Sequence, residues 1–220
     1  MSNRGQKQHI RYIRLKKWFP EDDALSTQMA RLCIFREDFL FELRMGVESK
    51  SLPMEGDHRH TWRLLYFFRR MSNTVTEIQT VLEGMSANAD FKHLLQAQSS
   101  NFKNGLKKYR ANLRTALDTI RTIRNDTAAH ILERSLRGAI KNMDYSHSGF
   151  LQISFEDIKD THYRFTEELL TAIMFKDTPP QDQEKKAIEI IEKFLGAIEG
   201  LLFWIDQIFS AYIRERHLNT

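Results

Sequence analysis

The sequence predicts an all-α protein: a bundle of about five long antiparallel helices with a short strand-like segment near 150–155. Three observations predict it. Apolar residues recur every three or four positions over most of the 220 residues, the period of helices with one buried face. Only nine glycines and four prolines are present, few for an all-β chain. The connections between periodic stretches are short, as between antiparallel neighbours in a bundle.

Residues 1–20 form a basic arm ahead of a helical domain over 21–220. The arm carries Arg4, Lys7, Arg11, Arg14, Lys16 and Lys17 and no acid. Ile10, Tyr12, Ile13, Leu15, Trp18 and Phe19 are interleaved with these cations, which suggests a short strand or an anchored extended segment ending at Pro20. The cations suit nucleic acid, and a solvated tail accounts for them equally well. Trp18 and Phe19 are expected to pack onto the domain.

The first helix should open at Glu21, Asp22 and Asp23, acids at a positive helix end. Its apolar face is Leu25, Met29, Leu32, Phe35, Phe39, Leu43 and Met45, opposite Arg36, Glu37, Glu42 and Arg44, and Gly46 is its expected stop. After a loop over 47–57, a second helix spans about 58–83 through Trp62, Leu65, Tyr66, Phe67 or Phe68, Val75, Ile78, Val81 and Leu82, ending at Gly84. A short helix lies around Phe91–Leu95. A third long pattern runs through Leu106, Tyr109, Leu113, Leu117, Ile120 and Ile123 and continues as Ala128, Leu132, Leu136, Ala139 and Met143. It is one helix of roughly forty residues or two meeting at Arg124–Asp126; typical helix lengths favour two, with Asn125 or Asp126 as N-cap. A turn over 144–149 leads to the strand-like Phe150–Phe155. A helix over about 156–175 follows, with Ile158, Phe165, Leu169, Ala172 and Ile173. After Pro179-Pro180, one final helix covers about 182–215 through Ile188, Ile191, Leu195, Ile198, Leu202, Ile205, Ile208 and Tyr212.

The net charge is +4, and outside the arm the charges nearly balance. The single cysteine, Cys33, has no intrachain disulfide partner, which suits a reducing cytoplasm; between Leu32 and Ile34 it serves as a small buried hydrophobe. The N-terminus has no apolar signal core, and Phe194–Phe209 is interrupted by Glu199 and Asp206, so neither secretion nor a membrane partner is expected. No glycine-rich phosphate loop, Gly-x-Ser-x-Gly elbow or Cys-x-x-Cys pair occurs. P-loop hydrolysis, α/β-hydrolase chemistry and a zinc ribbon are thereby disfavoured.

The stretch with the most chemical potential is Ile123-Arg124-Asn125-Asp126-Thr127-Ala128-Ala129-His130. It joins a permanently charged phosphate-binding group to the side chain best suited to move protons near neutrality. On the helix after Asp126, His130 falls opposite the apolar stripe, on the side of Asp126, Arg134 and Arg137. A salt-bridged exposed face is the plain explanation of that side. Arg4 to His9 repeats the Arg–His spacing in the arm, without the Asn, the small residues or the helical setting.

With Arg124, Asn125 and His130, five residues separating Arg from His, the central match resembles the HEPN superfamily of all-helical bundles. The motif covers seven residues, and the helical layout extends the likeness loosely to 21–215. The resemblance implies a metal-independent RNA endonuclease, often a homodimer whose two motifs face each other across a two-fold axis. It further implies a setting in phage defence or a toxin–antitoxin pair, with an antitoxin or regulatory protein as partner and no cofactor. Arg124, Asn125 and His130 would be catalytic. Arg124 would clamp the phosphate, His130 would act as acid or base, Asn125 would orient the phosphate or cap the helix, and Asp126 would fix the His130 tautomer. Nucleic-acid contacts would come from Arg134, Arg137, Arg11, Arg14, Lys16 and Lys17. On one straight helix Arg124 sits about 120° around from His130, so the chemistry needs a break near Asn125, a reaching arginine or a partner chain. The alternative is a helical RNA- or protein-binding module without catalysis, or a structural subunit.

Other clusters carry less. Glu55, Asp57, His58 and His60 are metal-capable types on a polar loop, and a solvated loop is the preferred explanation, so no metal site is expected. Tyr145 and His147 read as turn residues. Arg63, Arg69 and Arg70 form a basic patch expected to bridge to Glu77 and other acids.

Overall fold

In the computed structural model of this chain the described residues are 12–48, 58–123, 125, 133–143, 149, 151–153, 155, 162–163, 165–175 and 178–216. Nine α-helices are found among them: α1 (Leu15–Trp18), α2 (Ala24–Glu48), α3 (His58–Ala87), α4 (Ala89–Gln96), α5 (Ser100–Ile123), α6 (Glu133–Asn142), α7 (Phe165–Met174), α8 (Gln183–Ile198) and α9 (Leu201–Glu215). A two-residue antiparallel pair, β1 (Leu151–Gln152) and β2 (His162–Tyr163), sets Leu151 opposite Tyr163. Among the described residues the protein is helical apart from this pair; β1 falls within the strand-like stretch read from the sequence, whereas β2 falls in the stretch expected to be helical from about 156.

Short polar side chains start the helices. Asp23 accepts the N–H groups of Leu25 and Ser26 at 2.9 and 3.2 Å and so caps α2. Asn88 caps α4 through the N–H groups of Asp90 and Phe91 at 2.8 and 3.1 Å. The Ser99 hydroxyl accepts from the Phe102 N–H at 3.2 Å at the head of α5. Gly46 and Gly84 stop nothing, contrary to expectation: α2 and α3 continue through them. A helix interior tolerates an isolated glycine for about 1 kcal/mol, which packing on either side outweighs.

α2 and α3 form an antiparallel hairpin. Gln28 lies against Gly84, and at the other end Phe67 lies against Gly46. Between these contacts Glu42 is buried, not on the solvent face the sequence suggested; it accepts from the Thr74 hydroxyl at 2.9 Å and lies 3.4 Å from Arg70 Nε. Burial holds its carboxyl above the usual range, opposed by Thr74 and Arg70. Arg36 is likewise engaged, with Nε 2.8 Å from Asp206 of α9.

The main core collects Leu25, Met29, Leu32 and Phe39 from α2 and Val75, Ile78, Val81 and Leu82 from α3. α5 adds Leu106, Tyr109, Leu113 and Leu117, and α9 adds Leu201, Ile205, Ile208 and Tyr212. Apart from Leu201, where the spacing singled out its half-buried neighbour Leu202, these are the positions the three-and-four spacing singled out. Met45, Tyr66 and Phe165 are corrections, since all three are exposed. α6 and α7 pack on each other and contribute no residue to that core.

The C-terminal region departs most from expectation. The single helix over 182–215 is two, broken at Gly200, whose φ of 74° is left-handed. The break changes which face of α8 is buried. Ile190, Phe194 and Ala197 turn inward, while Ile188, Ile191 and Leu195 are about half exposed. The arm differs as well. Its end is the short helix α1, not a strand, and Trp18 is buried against Phe209 as anticipated, with ring centroids 6.0 Å apart.

Candidate nucleic-acid site

α5 carries the chain to Ile123, and α6 resumes it at Glu133. Arg124, Asp126 and His130 lie outside the described residues, as do Arg11, Tyr145, His147 and the side chains of Glu55, Asp57, His58, His60 and Arg63. Asn125 is described and exposed just beyond α5, one turn after the exposed Arg121. On α6, Arg134 and Arg137 are exposed and Ala139 of the expected apolar stripe is buried, while Leu136 and, just beyond the helix, Met143 of that stripe are half-buried and Ser135, outside it, is buried. Arg137 donates through Nε to Glu133 at 2.8 Å, one turn earlier, so part of its charge is answered locally. Arg134 has no ion pair among the described residues.

Arg14, Lys16 and Lys17 are exposed around the anchored Trp18. They form the part of the arm whose position is fixed by the core. Arg70 pairs with Glu42 across the hairpin, so the basic patch on α3 is partly neutralised. The Cys33 thiol is pushed up to about 11 by burial, with Arg36 opposing and Asp206 and Glu37 reinforcing, which makes it a packing residue and not a thiolate nucleophile. No group of three or more metal-ligating side chains is found among the described residues. No described helix is long and apolar enough to cross a membrane.

One concentration of cations among the described residues was not anticipated from the sequence. A groove of about 470 Å³ between α4 and α5 is lined by Lys92, Lys103, Lys107, Arg110 and Arg114. Leu95, Leu106 and Ala111 supply its apolar part, and no carboxylate lines it. The four α5 cations are spaced four, three and four residues apart, which places them within an arc of about 60° on one helix face. Lys103 donates to the Gln96 carbonyl at 3.4 Å, and Arg114 is 3.9 Å from Glu83. Arg110 is half buried, and its buried Nε has no hydrogen-bond partner among the described residues. Burial and then the neighbouring Arg114 lower the pKa of this guanidinium, against Glu83. The spacing on α5 was the available signal, but Lys92 comes from another element and its convergence is a property of the fold.

Comparison with protein-family models, with curated proteins and with solved structures finds no match to this chain.

Proposed function

We propose that this chain is a metal-independent RNA endonuclease of HEPN type, with Arg124, Asn125 and His130 as its reacting groups. The observation that carries the proposal is the Arg124-Asn125-x(4)-His130 spacing, which follows α5 directly in the sequence of a mostly helical chain, with Asn125 exposed just beyond that helix. The proposed architecture is the corresponding bundle of about five long antiparallel helices, formed by α2, α3, α5, α8 and α9. RNA brings its own nucleophile. The 2′-oxygen bonds to phosphorus as its proton passes to a base, the bond to the 5′-oxygen breaks, and that oxygen takes up a proton. The ordinary pKa of an imidazole lies near neutrality, which suits His130 to either proton transfer, and Arg124 offsets charge growing on the phosphate oxygens. Asp126, four residues before His130, fixes its tautomer. Arg124 and His130 diverge on a single straight helix, which favours a homodimer in which one chain completes the other's site. Arg134, Arg137, Arg11, Arg14, Lys16 and Lys17 hold the flanking backbone.

The lone Cys33 supports action in a reducing cytoplasm, and the resemblance supports a setting in phage defence or a toxin–antitoxin pair, restrained by an antitoxin or regulatory protein. A second reading, a helical RNA-binding module without catalysis, is favoured by one observation: the cation-lined groove lies on α5, away from His130 in sequence.

The test is incubation of the purified full chain with total RNA and tRNA in EDTA, alongside His130→Ala. Cleavage by the wild type and not by the variant is the expected result. A folded wild-type protein that cleaves neither substrate would move the assignment to the binding module.

A further inference from the structure

We propose that the α4–α5 groove is a binding track for the sugar-phosphate backbone of single-stranded RNA, delivering the strand toward Asn125. The choice of RNA rests on the ribonuclease reading above; the track rests on geometry alone. Lys103, Lys107, Arg110, Arg114 and, seven residues further, Arg121 share one face of α5 over about 27 Å. The row ends within one turn of Arg124 and Asn125. Lys92 faces it from α4 across the groove. So many like charges repel one another, and no carboxylate lines the groove; Glu83 beside it answers Arg114 at 3.9 Å, while Lys92 and Lys107 have no ion pair among the described residues. A chain of phosphates supplies the missing counter-charge at intervals, which one isolated anion does not.

Arg110 is the second, independent sign. Withdrawing a guanidinium Nε from water without an acceptor costs free energy that an incoming phosphate oxygen recovers. Leu95 and Leu106 line the groove beside the cations and offer apolar surface to sugars and bases. The groove also explains why these cations stand on the α5 face beside α4 instead of being spread around the helix.

The experiment measures fluorescence anisotropy of a labelled single-stranded RNA of about 20 nucleotides in EDTA over a range of KCl. The protein is the full chain carrying His130→Ala, so that the probe survives. Reversing two exposed charges, Lys103→Glu with Lys107→Glu, is expected to weaken binding at least tenfold. The plot of log affinity against log salt should become shallower by about 1.4, the share of two lost phosphate contacts. Lys185→Glu, an exposed reversal on α8, should change neither quantity. Lys92→Gln provides a milder variant in the same direction, and thermal melts verify that each variant is folded. Unchanged affinity and slope in the folded variants overturn the track. Displacement of the RNA at equal charge concentration by polyglutamate or by anionic phospholipid vesicles overturns the assignment to RNA. Cleavage by wild type with the track variants still binding normally removes the track and keeps the ribonuclease. Groove-dependent binding without cleavage does the reverse.

Discussion

The Tyr212 hydroxyl donates to the Trp18 carbonyl at 2.6 Å, joining residues 194 positions apart, and stands 2.8 Å from the Ser26 hydroxyl. Tyr212 is fully buried, and Phe209 stacks beside it while touching Trp18. One phenol therefore ties α9 both to the start of α2 and to the segment that carries Arg14, Lys16 and Lys17. Replacing it leaves a buried backbone carbonyl without its donor, a loss of about 1–3 kcal/mol. We expect Tyr212→Phe to lower the melting temperature by roughly 2–4 °C per kcal/mol lost. Trypsin should also cut sooner after Lys16 and Lys17. A melting temperature and cleavage rate equal to wild type would show that the hydroxyl is dispensable.

Gly105 is fixed by Trp204. A Cβ at Gly105 would lie 2.7 and 2.8 Å from two carbons of the Trp204 ring, which also stacks on Tyr109 at 6.3 Å. Alanine gains about 1 kcal/mol of helix propensity but meets an indole that Phe102, Tyr109 and Phe203 hold in place. Overpacking of this kind costs about 1–3 kcal/mol, so Gly105→Ala is expected to be net destabilising in spite of its propensity. Adding Trp204→Leu should relieve the clash, and a double-mutant cycle by chemical denaturation would read that coupling. Additive effects would mean that the ring gives way freely.

Asp23 makes stability depend on acid. Its burial raises the carboxyl's pKa, but the Ser26 hydroxyl and N–H and the Arg216 guanidinium outweigh this and hold it below 3.8. A carboxyl whose folded pKa is depressed contributes stability that is fully present above its unfolded value. The contribution is lost as the pH falls through the folded value. Asp23→Asn keeps an N-cap for α2 but not the charge. Thermal melts from neutral pH downward should show wild type and Asp23→Asn converging once the pH drops below 3.8. Parallel curves through that range would remove Asp23 as the titrating group.

Much of the fold was legible because the buried apolar residues of α2, α3 and α5 recur every three or four positions, although α2 also leaves Ile34 and Phe41 exposed. Leu25, Met29, Leu32 and Phe39 could be named from spacing alone. α8 was misread because it has apolar residues on two faces. Ile188, Ile191 and Leu195 make as regular a stripe as Ile190, Phe194 and Ala197, and only the turn at Gly200 decides between them. Glu42 escaped because a buried carboxylate is recognisable only once Thr74 and Arg70 arrive from α3. At the candidate site, the exposure of Asn125, Arg134 and Arg137 follows from helical phase. The groove does not, since it needs Lys92 brought across from α4.

The burial of Trp18 by α9 also sets an order of events during synthesis. Leu201, Ile205, Ile208, Ala211 and Tyr212 complete the core that α2, α3 and α5 begin, and all of them are translated after those helices. At ribosomal speeds of about 5–20 residues per second, the nascent arm waits roughly 10–40 s for the helix that fastens it. During that interval the apolar faces of the earlier helices remain open to chaperones. Emergence of α9 from the exit tunnel is therefore the step that fastens the arm.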